Sequence, residues 1–177
     1  MKCFYYLSPS LVETGRIADD LRKSGVNHWF IHVISENEAG LSRHQLHSSN
    51  YLETMDLLRN GLIGASLGFL LALLFVTGIS FFELFGGTLP PLAWLGIIVL
   101  LTSFGAWQGG LIGISSENRK IQPFRPAIKA GEHLLLVYAN RKEEEKIHAM
   151  MTRLHPEAKL AALDAQFYNP FSEPTLV

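Results

Sequence analysis

The chain has 177 residues, fifteen Lys and Arg against sixteen Asp and Glu, a net charge of −1, and a single cysteine, Cys3. This balance excludes the strongly basic surface of a typical nucleic-acid binder. One cysteine excludes an internal disulfide framework and a cysteine-based zinc site. The charge is unevenly placed: every Lys and Arg, and every acid except Glu83, lies outside residues 60–116. That pattern reads as a membrane protein with soluble ends. The start, MKCFYYLSP, has too short an apolar run before Pro9 for a cleavable signal peptide, so no cleavage is expected.

In chain order, residues 2–8 (KCFYYLS) are rich in aromatics and predict a strand. Ser10 and Glu13 form a capping-box pattern, and Leu11, Ile17, Ala18 and Leu21 follow as a helical stripe that Gly25 ends. Residues 28–35 (HWFIHVIS) predict a second strand, which completes a β-α-β unit of residues 1–35. Residues 36–48 read as a polar loop. Residues 51–60 (YLETMDLLRN) read as a juxtamembrane helix running straight into the first span, with Tyr51, Met55 and Leu58 on one side.

Two apolar runs follow, Gly61–Phe85 and Leu92–Ser115, within a hairpin segment of residues 61–116. Twenty-five helical residues cover roughly 37 Å, more than a hydrocarbon core of roughly 30 Å. Gly86-Gly87-Thr88-Leu89-Pro90-Pro91 breaks the helix, and a connector this short makes the spans antiparallel. Arg59 precedes the first span, Arg119, Lys120, Arg125 and Lys129 follow the second, and the connecting loop has no cation. The cation bias therefore predicts a two-pass membrane protein with both termini cytoplasmic and the loop outside. Gly64, Gly68 and Ala72 recur every four residues in one span, and Gly105, Gly109 and Gly113 do so in the other. In an antiparallel hairpin these stripes lie at one depth and let backbones approach closely. They read as a glycine zipper, either within one hairpin or between subunits.

After the hairpin, residues 133–139 (HLLLVYA) predict a third strand. Asn140 and Glu143 open a helix whose stripe is Ile147, Met150, Met151 and Leu154, and residues 158–164 predict a fourth strand. Residues 117–165 thus form a second β-α-β half, followed by a C-terminal arm of residues 166–177. Two such halves make a split βαβ, ferredoxin-like sheet, and neither holds enough strands to be stable alone. The expected fold is an α+β membrane protein, a cytoplasmic ferredoxin-like domain with a two-helix transmembrane hairpin inserted between its halves. Its helices cover one sheet face, and alternate residues of the strands make the other face apolar too, so that face is expected to meet a second subunit, a partner or the membrane-proximal helix of residues 51–60.

This pattern resembles a bacterial family of unknown function whose members carry a glycine-zipper hairpin between ferredoxin-like halves. Some of them bear the labels general stress protein or magnesium-transporter-like. The likeness covers roughly residues 3–165 and rests on GGLIGI (109–114) through FRPAIKAGEHLLLV (124–137), on FIHVIS (30–35) and on HPEA (155–158). It implies fold and membrane placement and carries over no catalytic residue.

Chemistry is sparse. Transport needs polar groups at membrane depth. Glu83 is the one ionisable residue there, near the outer end, with Thr77, Ser80, Thr102, Ser103 and Gln108 as further polar groups. Two spans do not enclose a path alone. His28 and His32, on one strand face, would stand about 13 Å apart, too far to chelate one ion. His44 and His47 read as surface histidines. No nucleophile elbow or phosphate cradle is present. No catalytic residue, cofactor or metal site is therefore assigned. The expected function is non-enzymatic, through self-association as a homo-oligomer or binding of a membrane protein partner, with membrane lipid as its environment and no nucleic acid. A small-ligand or stress sensor, an accessory subunit of a larger complex, and an oligomeric channel or transporter are the alternatives.

Overall fold

The computed structural model describes the chain except residues 45, 50, 87–88, 141–142 and 166–168, together with the side chains at 51, 52 and 85. In chain order the elements are β1 (Lys2–Ser8), α1 (Leu11–Lys23), β2 (Ile31–Ile34), α2 (Glu38–Arg43), α3 (Tyr51–Thr54), α4 (Leu57–Phe81), α5 (Pro91–Ile114), α6 (Arg125–Lys129), β3 (His133–Ala139), α7 (Glu144–Leu154), β4 (Lys159–Asp164) and β5 (Thr175–Leu176). Short 3-10 turns occupy His28–Phe30, Leu84–Gly86 and Gln122–Phe124. The chain divides into two compact units, residues 1–50 with 119–177, and residues 51–118. The fold is mixed α+β, with a five-stranded antiparallel sheet in the first unit and two long apolar helices in the second.

The sheet order is β2-β3-β1-β4-β5. β1 pairs with both β3 (Phe4 opposite Val137) and β4 (Phe4 opposite Leu163), with a register shift in the latter between Tyr5 and Tyr6. Because side chains alternate across a strand, two cores form. On one face Phe4, Tyr6, Val33, Leu135 and Val137 pack with Ile17 and Leu21 of α1 and with Ile147 and Met151 of α7. α1 begins as its capping pattern predicts, with Ser10 Oγ accepting from the Glu13 backbone N–H at 3.2 Å. It ends before Gly25, whose φ of +101° suits a residue without Cβ.

The second face differs from the expectation. Cys3, Tyr5, Leu134, Leu136 and Tyr138 are buried there beneath Ile121, Phe124 and Ile128. Phe124 stacks on Tyr5 with ring centroids 5.4 Å apart. The segment from the 3-10 turn into α6 lays an i, i+3, i+7 apolar stripe over the sheet, so this face is a core and is not open to a partner.

Three local readings also change. The second strand is shorter, because the Asn27 side chain accepts from the Trp29 backbone N–H at 3.2 Å and coils residues 28–30 into a 3-10 turn. Residues 36–48 are no plain loop. They hold α2, capped by Asn37, and their end docks on the sheet edge, where the Val33 N–H donates to the His47 carbonyl at 2.9 Å. Leu41 and Leu46 anchor this segment in the first core. Finally, no single helix runs from Tyr51 into the first span: it breaks at Met55 and Asp56, and α4 starts at Leu57.

Candidate functional site

The second unit is built inside out. α4 and α5 are long and apolar enough to cross a membrane, and only 17% and 11% of their most apolar stretches are buried. Leu70, Leu71 and Leu74 of α4 and Leu95, Leu100 and Ile112 of α5 are all more than half exposed. The residues α4 and α5 bury are Gly68, Ala72 and Ile79, and Gly109 and Gly113. α4 ends at Phe81, four residues short of the predicted end of the first span, and Glu83 takes a positive φ of 51° in the turn that follows. α5 opens on Pro91, where a missing N–H costs nothing.

The glycine stripes meet within this one hairpin. A Cβ on Gly64 would overlap the Gly105 carbonyl oxygen, and one on Gly105 the Gly64 oxygen. Gly68 rests in the same way on the Leu101 oxygen, Gly109 on that of Asn60, and Gly113 on the backbone of Asp56 and Leu57. Ala72 is fully buried. Gly110 and Gly96 lie outside this seam, with at most a side-chain contact at 3.7 Å.

The base of the hairpin is tied by backbone bonds. The Asp56 N–H donates to Ser116 O and the Asn118 N–H to Thr54 O, both at 2.9 Å, and Asn118 Nδ2 donates to Glu53 O at 2.8 Å. Arg59 bonds Asp56 at 3.2 Å. Within the helices, Ser66 and Thr77 return their hydroxyls to the carbonyls of Leu62 and Leu73, four residues back. Beside the glycine seam runs a groove of about 300 Å³, walled by Ile63, Leu67, Leu71, Leu101, Phe104 and Ile112, with Asn60 and Gln108 as its only polar side chains among the described residues.

The cations that set the expected topology have separate fates in the first unit. Arg125 pairs with Glu36 at 3.3 Å and Lys129 closes α6. Arg119 lines a shallow cleft with Gln122, Pro123 and Glu173. Lys120 is buried and bonds Asp164. Residues 166–168 of the predicted C-terminal arm lie outside the described residues; in the rest of it Ser172 Oγ lies 3.2 Å from Lys120 Nζ, and β5 pairs with β4.

Five of the seven histidines fall in three places. His28, Trp29 and His47 pack their rings together, with centroids 4.9–5.3 Å apart, and Trp29 remains 63% exposed. His28 thus belongs to the turn rather than to a strand face shared with His32, whose Nε2 meets the Trp29 carbonyl at 3.0 Å. Loss of water around the His47 ring, and then the charges of His28, His32 and Arg22, hold His47 below the usual histidine range. His133 Nδ1 lies 2.8 Å from Ser35 Oγ, and burial lowers its pKa. His155, also buried, lies between Asp20 and Glu157 at 3.3 and 3.2 Å. Among the described residues no group of three or more His, Cys, Asp or Glu is arranged to hold a metal ion. Cys3 is fully buried.

No family model matches the chain, and neither the curated proteins nor the solved structures contain a significant match to it. The hairpin therefore stands as the candidate functional site on its own geometry. The sequence reading misses the sealing of the second sheet face and the polar-mouthed groove. The apolar spacing of Ile121, Phe124 and Ile128 signals the first, and the placement of Gln108 beside the glycine stripe signals the second.

Proposed function

We propose that this chain is a two-pass protein of the bacterial inner membrane, in which α4 and α5 anchor a cytoplasmic ferredoxin-like domain that works without catalysis, by association with protein. The observation that carries the reading is the inverted polarity of the hairpin. Two helices that bury glycine and alanine while turning leucine, isoleucine and phenylalanine outward are arranged for lipid rather than for water. The strand order β2-β3-β1-β4, with helices after β1 and β3, supports the ferredoxin-like description. Arg59 before α4 and the cations after α5, set against a loop free of Lys and Arg, support cytoplasmic termini.

The family likeness of the glycine-rich hairpin and the sequence around residues 124–137 is consistent with this placement. The glycine seam and the second sheet face are both filled from within the chain, so association uses other surfaces, such as the exposed aromatic turn at Trp29. Alkaline carbonate extraction of cell membranes tests the anchor: retention in the pellet is expected, and release overturns it. A fluorescent fusion after Val177 should light up inside the cell, and an alkaline phosphatase inserted after Glu83 should be active outside. Chemical cross-linking in intact membranes should yield a homo-oligomer or a second protein at fixed stoichiometry. A monomer alone at every cross-linker length overturns the association reading.

A further inference from the structure

The groove beside the glycine seam has the dimensions and polarity of a site for one lipid chain. Gly109 packs against the Asn60 carbonyl, so Asn60 and Gln108 stand at one height, at the end of the hairpin that also carries Arg59 and Asp56. From there the groove passes Leu67 and Phe104 to Leu71 and Leu101 with no further polar side chain among the described residues. The helix rises about 16 Å between Asn60 and Leu71, so 300 Å³ leaves a cross-section of roughly 18 Å². A helix with its side chains is about 10–12 Å across, more than twice too wide for such a slot. A single file of methylene groups is not. The slot exists because glycines floor it and the flanking leucines and Phe104 wall it.

We propose that this groove binds one acyl chain of a bilayer glycerophospholipid, with Asn60 and Gln108 donating to its ester carbonyl oxygens at the mouth. One N–H of the Asn60 carboxamide is used within its own helix, on the Asp56 carbonyl at 3.0 Å, which leaves the other for a ligand. Gln108 is exposed, and both N–H groups of its carboxamide are available to a ligand. Neutral donors suit a neutral ester, whereas a free fatty acid brings a carboxylate, and no Lys, Arg or His lines the groove among the described residues. The inference rests on the membrane reading above.

The test is native mass spectrometry of the full chain released from vesicles of phosphatidylethanolamine and phosphatidylglycerol, after carbonate extraction has established whether the chain is integral. Release by carbonate refutes the membrane reading itself. For an integral chain, wild type should retain one phospholipid mass. Leu67→Trp, which fills the groove, should lose it. Leu73→Trp, on an exposed position outside the groove, should keep it. Gln108→Leu touches only the mouth and should lower retention about threefold to tenfold, the worth of one or two hydrogen bonds. If circular dichroism shows that Leu67→Trp loses its helices, the Gln108→Leu result decides. Equal retention in wild type and the groove variants, no retained phospholipid, a retained fatty acid, or a mass of two chains without lipid each overturns the proposal.

Discussion

Lys120 Nζ lies 2.6 Å from Asp164 Oδ2, and both side chains are almost completely buried, at 5% and 1% exposure. The pair joins the first residues after the hairpin to the end of β4, and Ser172 of the C-terminal arm adds a contact to Lys120 at 3.2 Å. Removing one partner leaves the other charge buried without its counter-ion. Asp164→Ala should therefore cost about 3–5 kcal/mol, whereas the double change Lys120→Met with Asp164→Leu should be close to neutral. Urea unfolding of the full chain in detergent, followed at Trp29 with Trp94 and Trp107 replaced by Phe, reads both. A small loss in the single variant would mean that the pair is hydrated.

The seam of the hairpin separates glycines that look alike in sequence. Gly105→Ala drives a Cβ into the Gly64 carbonyl, a backbone atom that cannot swing away. Gly110→Ala meets only the end of the Leu57 side chain at 3.7 Å, and Gly96→Ala meets nothing within 4 Å. Gly105→Ala should destabilise the helix pair by about 1–3 kcal/mol, as overpacking does, while the other two should gain slightly in helix propensity. Thermal melting in lipid nanodiscs distinguishes them. Equal melting of all three would mean that the helices do not meet at this seam.

Burial of His133 makes an acid limb of stability. Its pKa lies below the ordinary value of 6.5, so between the two values the unfolded chain binds more protons than the folded one. Stability is present above pH 6.5 and falls as the pH drops toward the folded pKa. Histidine to glutamine at 133 removes the titration while keeping a partner for Ser35. The slope of stability against pH between 7.5 and 5, read by urea midpoints, should flatten in that variant. An unchanged slope would assign the acid limb to other groups, with His47, also shifted down, as the first candidate.

Much of this molecule is legible in its residues, for physical reasons that differ by element. β1 and β3 are apolar on alternate residues of both sets, as a strand buried on both faces must be, and the Ser10 cap and Gly25 bracket α1. The four-residue glycine spacing translates directly into the seam, because a helix repeats its face at that interval. Other features depend on single side-chain bonds that periodicity does not register. The Asn27 cap turns the first three residues of HWFIHVIS into a 3-10 turn, and the bridge between Met55 and Glu117 interrupts the helix before α4. The segment 121–129 hides its role most thoroughly. Its two prolines and two cations interrupt any strand or long-helix pattern, yet Ile121, Phe124 and Ile128 fall on one side and cap a core.

Phe124 gives the sharpest test of that cap. It is 4% exposed and stacks on Tyr5, and with Ile121 and Ile128 it ties the turn and α6 to the sheet. Phe124→Ala should cost about 3–5 kcal/mol, the usual loss for a buried aromatic. It should also raise hydrogen exchange in 121–129 first, because the cap loosens before the sheet does. Phe124→Leu keeps much of the apolar volume and should recover more than half of the loss. If Phe124→Ala leaves exchange in this segment unchanged while the stability falls, the cap is held by Ile121 and Ile128, and Phe124 matters only as filling for the Tyr5 side of the core. If neither changes, the second face is open in solution, and its row of Cys3, Tyr5, Leu134 and Leu136 becomes a partner surface after all.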